Sequence, residues 1–321
     1  MLKVNSVTGE LHIKNLGYTL IHEHMRTRSE AIAKQFPRLY DEEGEEYELA
    51  LEQVLAAKKH GVQTIFDPTV MGLDRDVLFM ERISKAADVR IIAATGVYTF
   101  DTLPTRFNVS SIDFLADQFV QDIEVGIQNT SIKAGFLKCA TDVQGVTPAV
   151  EKVIRAVARA HLQTGYPIMT HSHPVTETGI KQAEIFKEEG VNMEKVLIGH
   201  CGDTDNLEYI ERVLDYGVFI GMDRYGISKV LSTEKRNETV IALSEKGYAN
   251  RMFLSQDYCC TTDFYKPNSL KKTASPDWSM TYLFETVIPL LKEQGLTEEQ
   301  LQLIMTENVK SWVGVQSSKK G

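Results

Sequence analysis

Short apolar or β-branched runs alternate with longer amphipathic stretches along this 321-residue chain, and that alternation restricts its fold more than any other feature. The runs are Tyr18–His22, Val62–Asp67, Arg90–Thr95, Ile132–Lys138, Pro167–His171, Val196–His200, Val218–Met222 and Arg251–Asp257. Between them the pattern predicts helices at 45–60, 74–87, 112–127, 147–164, 177–190, 204–216 and 233–248, then 280–294 and one or two tail helices. This is the pattern of βα units on a parallel sheet. His60-Gly61, Glu189-Gly190, Tyr216-Gly217 and Lys246-Gly247 each put glycine where a left-handed cap would end a helix just before the next strand. Strict alternation without a linker rich in Pro, Gly or Ser favours one closed (β/α)8 TIM barrel over an open doubly wound sheet. No glycine-rich dinucleotide fingerprint follows the first run, which disfavours the open sheet further.

The reading is a single domain over 1–321, with a leading hairpin in 1–17 turning at Thr8-Gly9-Glu10 and closing the barrel's bottom. C-terminal helices occupy 280–321. The segment 261–278 is polar, carries Lys266, Pro267, Lys271, Lys272 and Pro276, and reads as a long lid loop after the last strand. Long loops at that face of a barrel tend to cover active sites. A net charge of -9 argues against nucleic acid and anionic membranes as partners, since both select basic faces. No signal-peptide pattern or membrane-spanning run is visible, and the four cysteines have no disulfide-like spacing. A cytoplasmic setting is expected.

Barrels of this kind keep their chemistry at the C-terminal ends of the strands, and there the metal-ligating residue types gather. The first run ends in His22-Glu23-His24, with two imidazoles two residues apart and so on one face of an extended strand. Others end in Lys138, His171, His200 and Asp257. A lone strand-end histidine is ordinarily a hydrogen-bonded rim residue; the whole set on five strands points to metal. Lys138 needs its own reason, because a buried ammonium loses hydration and becomes a neutral, nucleophilic amine. Such an amine can take up carbon dioxide as a carbamate, a long-armed carboxylate able to bridge two ions. The plainer alternative is a lysine that snorkels to solvent. His12 belongs to the hairpin, His60 and His161 read as solvated helix residues, and His173 lies in a loop before Pro174.

The words around these residues carry a resemblance. Leu20-Ile21-His22-Glu23-His24, Ala134-Gly135-Phe136-Leu137-Lys138, Ile198-Gly199-His200-Cys201-Gly202-Asp203, Gly221-Met222-Asp223-Arg224-Tyr225-Gly226 and Leu254-Ser255-Gln256-Asp257-Tyr258-Cys259-Cys260 resemble the phosphotriesterase-like lactonases of the amidohydrolase superfamily. The likeness runs along essentially the whole chain. It implies a barrel hydrolase, commonly a homodimer, that opens lactones such as N-acyl-homoserine lactones and has weak side activity on organophosphate triesters. It implies that His22, His24 and Asp257 hold a buried ion, that His171 and His200 hold a more exposed one, and that carboxylated Lys138 bridges both. Tyr98 and Arg224 match positions on the substrate side. Gln256 stands where many relatives have histidine and Phe264 where some have tryptophan, so the acyl-chain preference is open.

Two divalent ions sharing a water keep hydroxide present near neutral pH, and one of them can polarise a carbonyl or phosphoryl oxygen. Zinc, iron, cobalt and manganese all suit such ligands. Asp257 is read as ligand and proton acceptor, and Tyr98 as a hydrogen-bond donor or a rim aromatic. Arg224 would orient the lactone, brace the lid, or pair with a neighbour such as Asp223. Phe100 and Phe264 would join Tyr98 and Arg224 as walls for the substrate. The rival readings are a primary aryldialkylphosphatase, a deaminase or amide hydrolase on the same barrel, and a metal-binding sensor without turnover. Lys138 together with Asp257 speaks against the sensor.

Overall fold

The computed structural model describes residues 2–265 and 269–314. Lys266, Pro267 and the tail beyond 314 lie outside the described residues. A leading antiparallel hairpin, β1 (Lys3–Ser6) and β2 (Gly9–His12), is followed by β3 (Thr19–Leu20), β4 (Glu23–His24), β5 (Thr64–Asp67) and β6 (Arg90–Gly96). Then come β7 (Phe136–Ala140), β8 (Ile168–His171), β9 (Val196–Ile198), β10 (Phe219–Met222), β11 (Met252–Leu254) and β12 (Tyr258–Cys259). Strands β3, β5 and β6 to β11 form an eight-stranded sheet, parallel throughout and in sequence order. β4 and β12 continue the first and last of these strands, and they pair with each other, Glu23 opposite Tyr258 and His24 opposite Cys259. That pairing closes the sheet into a barrel, surrounded by helices as the alternation predicts.

The closure depends on one side chain. Glu23 is fully buried on the opposite side of its strand from His22 and His24, and its carboxylate accepts from Ser255 Oγ at 2.7 Å, Gln256 N at 3.0 Å and Tyr258 N at 2.7 Å. Ser255 Oγ also receives the His22 amide at 3.1 Å. Between β11 and β12 the chain leaves regular geometry, and Asp257 takes φ +50°. These bonds hold that irregular stretch against the first strand. Burial pushes the Glu23 carboxyl up to about 8.

Helix boundaries differ from the periodicity where polar residues are diverted to caps. The helix expected at 74–87 begins at Val77, because the Asp76 side chain accepts from Phe79 N; that expected at 204–216 is Leu207–Leu214, capped by Asn206. Gly61, Gly190, Gly217 and Gly247 all have the left-handed φ expected of them. β7 begins later than the apolar run and extends past Lys138 to Ala140, so Lys138 is mid-strand rather than terminal. The preceding Ala134 is bonded elsewhere, its carbonyl to Asn5 Nδ2 and its amide to Asp122 O. The predicted lid loop contains a short helix, Ser269–Ala274, on which Lys271 is buried. His161 is likewise buried rather than solvated, with Nδ1 2.7 Å from the Tyr166 carbonyl. All four cysteines are free and buried. Among the described residues no helix is long and apolar enough to cross a membrane.

The hairpin is not alone in closing the barrel's bottom. Trp312, from the tail helix Asn308–Val313, is fully buried and its ring centroid lies 5.5 Å from that of Phe66, 6.0 Å from Phe136 and 6.1 Å from Phe253. Its indole nitrogen donates to Lys195 O at 3.1 Å, so the polar end is satisfied while the ring fills the barrel. Trp312→Ala should therefore cost about 3–5 kcal/mol of stability. Denaturant unfolding measures this; a loss below about 1 kcal/mol would mean the plug is dispensable.

Candidate metal centre

At the other end of the barrel the strand ends surround a cavity with about 160 Å³ accessible to water, walled by His22, His24, Lys138, His171, Asp257 and Arg224 among others. His22 and His24 point their Nε2 atoms at one oxygen of Asp257, Oδ1, at 3.3 and 3.2 Å. The three side chains offer ligand atoms within 4.8 Å of one another and could hold a metal ion. His200 lies just behind the wall, fully buried, with Nε2 2.9 Å from His171 Nδ1. Two imidazole nitrogens converging in this way suit a shared cation.

The rings are aimed from behind. Asp223, at the end of the seventh barrel strand, takes His22 Nδ1 on Oδ2 at 2.9 Å and His200 Nδ1 on Oδ1 at 3.0 Å, and accepts the His200 amide at 2.8 Å. One carboxylate thus fixes two imidazoles and turns both Nε2 atoms to the cavity. Thr69 does the same for His24, with Oγ1 2.7 Å from Nδ1. His22, His200 and Asp223 also form a grouping that could hold a cation, but hydrogen-bond distances on the Nδ1 side mark it as the orienting face. Gly221 leaves the room required, since a Cβ there would lie 2.4 Å from Asp223 Oδ2.

Lys138 is 1% exposed, and its Nζ has no hydrogen-bond partner among the described residues. Burial lowers its pKa to about 8. Its strand neighbour is Gly96, at φ +147°, where any Cβ would collide with the Lys138 carbonyl oxygen at 1.8 Å. The close approach requires glycine there. An unpaired buried amine beside imidazoles and a carboxylate is chemically incomplete, and a second negatively charged ligand on its nitrogen would complete a cation site. The field of the site agrees. Burial opposes protonation of His24, yet Asp257 and Asp67 raise its pKa to about 9, while the histidines and Arg224 hold Asp257 well below the usual carboxylate range despite its own burial.

Arg224 does not pair with Asp223. Its Nε donates to Asp257 Oδ2 at 2.8 Å and its Nη1 to Asp203 Oδ2 at 2.9 Å, because Asp223 is already occupied by the histidines. Tyr98 reaches His171 Nδ1 with its hydroxyl at 3.3 Å. Phe264 lines the cavity at its mouth and is 86% exposed. Phe100 was expected as a wall and is not one: its ring packs over Gly72, in an outer groove with Met71 and Pro104. Gln256 also faces away, its Nε2 on Ser279 O, and His173 stays in its loop beside Thr176. Sequence reasoning missed the orienting role of Asp223 and the presence of Asp142 and Cys259 in the wall. Only Asp223 had a usable signal, a carboxylate one residue past the seventh strand.

The Phosphotriesterase family model matches residues 2–313. The chain belongs to the phosphotriesterase family. It is 50% identical over 301 residues to an aryldialkylphosphatase of Saccharolobus solfataricus, covering 93% of this chain and 95% of that one. It is 40% identical to a phosphotriesterase homology protein of Mycobacterium tuberculosis over 96% of each chain. A solved structure of the phosphotriesterase from Mycobacterium tuberculosis superposes with a TM-score of 0.94 at 39% identity, covering 98% of this chain and 99% of that one. As a phosphotriesterase-family hydrolase, the chain carries histidine and aspartate groups able to bind metal where such a barrel keeps its chemistry.

Asp223→Asn should weaken metal retention about 10–100-fold, since both imidazoles lose the carboxylate that fixes their tautomer. Competition with a chelator, followed by metal analysis, reads this directly. Wild-type retention in the variant would show that the rings need no such support.

Proposed function

We propose that this phosphotriesterase-family hydrolase is a binuclear lactonase, opening N-acyl-homoserine lactones or γ/δ-lactones, with weak activity on phosphotriesters. His22, His24 and Asp257 would hold one ion, His171 and His200 the other, and a carbamate on Lys138 would bridge them. The unpaired Lys138 amine supports the bridge. Two divalent ions, zinc foremost with iron, cobalt or manganese as alternatives, would supply a hydroxide at neutral pH and Lewis acidity toward the carbonyl oxygen.

The chain's own groups divide the remaining work. Asp257 turns Oδ1 to the histidines and Oδ2 to Arg224, so a proton given up as the tetrahedral species collapses has an acceptor at the reacting centre. Arg224, anchored on Asp203, holds that carboxylate in place and faces the cavity from the rim. The Tyr98 hydroxyl, beside His171, is within reach of a carbonyl oxygen bound on that side.

The observation that carries the substrate class is a second cavity. It shares Arg224, Asp257, Cys259 and Phe264 with the first, and beyond them it is lined by Ile227, Tyr265 and Trp278. A small chamber walled by charged side chains, sharing part of its lining with a largely apolar pocket, fits a ring with a single acyl tail; a triester needs room for three substituents around phosphorus. A primary aryldialkylphosphatase is the second reading, favoured by the name of the relative at 50% identity. Exposed Ile32, Phe36 and Leu39, on and just after the helix Glu30–Gln35, support a homodimer, and four free buried cysteines fit a cytoplasmic setting.

Measuring kcat/KM for an acyl-homoserine lactone, a simple γ- or δ-lactone and an aryl dialkyl phosphate on one preparation tests the reading. The lactones should win by at least about ten-fold, a difference of roughly 1.4 kcal/mol in transition-state binding. Equal or better values for the phosphate would favour the second reading. Lys138→Ala should lose metal and activity together, with partial rescue by short-chain carboxylic acids; an active, metal-replete variant would remove the bridge from the mechanism.

A further inference from the structure

The connection after β12 contains a lysine that does not behave as surface lysines do. Lys271, on the helix Ser269–Ala274, is 5% exposed, and its Nζ donates to the carbonyl oxygens of Cys259 at 2.7 Å and Cys260 at 2.8 Å. It stands 4.1 Å from the centroid of the Tyr258 ring and 5.8 Å from that of Trp278. Among the described residues no carboxylate pairs with it. Burial works against its charge, and carbonyl dipoles and ring faces are what offset the loss of water. A four-carbon stem could have carried the ammonium to solvent at little cost, as snorkelling lysines do. Here it is turned inward, onto the backbone of the strand that follows Asp257.

That position ties the lid to the site. Cys259 walls both the metal-side cavity and the apolar channel, and Phe264 lies on the chain between Cys259 and the lid helix. Two further bonds fasten the far end: Trp278 Nε1 donates to Gln256 O at 2.9 Å, and the Tyr265 hydroxyl lies 3.1 Å from Ser275 Oγ. Of these anchors Lys271 alone brings charge, and charge-assisted hydrogen bonds are the stronger kind. We propose that Lys271 is a positioning residue that latches the lid helix onto β12 and so sets the width of the acyl-tail channel. The latch stands on geometry alone, whereas its effect on substrate choice rests on the lactonase reading.

The experiment compares wild type with Lys271→Met, which keeps an unbranched stem one atom shorter but removes the charge and all donors, and with Lys271→Arg, which restores both. The first readout is acrylamide quenching of tryptophan fluorescence on the full chain. Only two tryptophans are present, and Trp312 is 0% exposed at the barrel's other end, so added quenching reports the lid at Trp278. Quenching should rise about two-fold or more in Lys271→Met and return toward wild type in Lys271→Arg. The second readout is steady-state kinetics. For a long-chain lactone KM should rise about ten-fold, the scale of one lost charge-assisted hydrogen bond, while kcat on a short lactone and the metal content stay near wild type. Unchanged quenching in a folded Lys271→Met overturns the latch. Increased quenching with equal losses on long and short lactones overturns its role in specificity. If the wild type opens no lactone, the lactonase reading fails while the quenching still decides the latch. Should Lys271→Met not fold, Lys271→Gln, which keeps one neutral donor, is read in the same way.

Discussion

A single buried carboxylate joins the two ends of the barrel, and the candidate metal centre depends on that join. The first and last strands must meet for His22 and His24 to face Asp257, yet the last strand breaks its regular geometry just where Asp257 must turn inward. Glu23 resolves the conflict by accepting from the Ser255 hydroxyl and from the Gln256 and Tyr258 amides, so the backbone groups exposed by the break are paired without a regular ladder. Asp257 can then sit at φ +50°, a conformation that aspartate tolerates better than most residues. His200 occupies the same region at φ +64°, held by its own amide bond to Asp223. Both are strained positions over-determined by their surroundings, as functional sites often are.

Inside that frame the polar groups are satisfied in a graded way. Asp223, Asp67 and Thr69 have their partners in the protein, and they face away from the cavity. Lys138 has none among the described residues, and the imidazoles of His171 and His200 face each other across 2.9 Å. Buried polar groups are ordinarily paired, so an unpaired amine among titratable groups at a cavity is a place where a further ligand would fit. The outer groups are fixed to the protein, and the inner ones include side chains that could hold a cation.

Much of this was legible in the chain. Alternation gave the barrel, and residue types at strand ends singled out side chains that the structure brings to one end of it, because both follow from local periodicity and from where this fold keeps its chemistry. Lys138 was located by burial logic alone, although its place in mid-strand was not. Contributions made across the closure were hidden: Glu23 reads as the residue between two histidines, and nothing local says that it holds Gln256 and Tyr258. Trp312 was hidden for the same reason, since a tail helix gives no sign that its ring will enter the barrel. Phe100 shows the converse error. Aromatic residues after a strand end can turn either way, and the ring of Phe100 followed the space above Gly72.

The two ends of the barrel differ in how tightly their aromatic residues are held. At the bottom Trp312 is fully buried among the rings of Phe66, Phe136 and Phe253, and its substitution is a matter of folding. At the top Phe264 is almost fully exposed, and the segment that carries it is held by bonds to backbone carbonyls of Gln256, Cys259 and Cys260. Backbone acceptors are present whatever the side chains are, so the lid's sequence can change without losing its anchorage as long as Lys271 and Trp278 remain. The candidate metal ligands are tied to barrel strands and their backing carboxylates, which leaves little freedom to vary. On the lactonase reading, substrate choice would fall to the lid, where a change of wall would cost neither the barrel nor the candidate metal site.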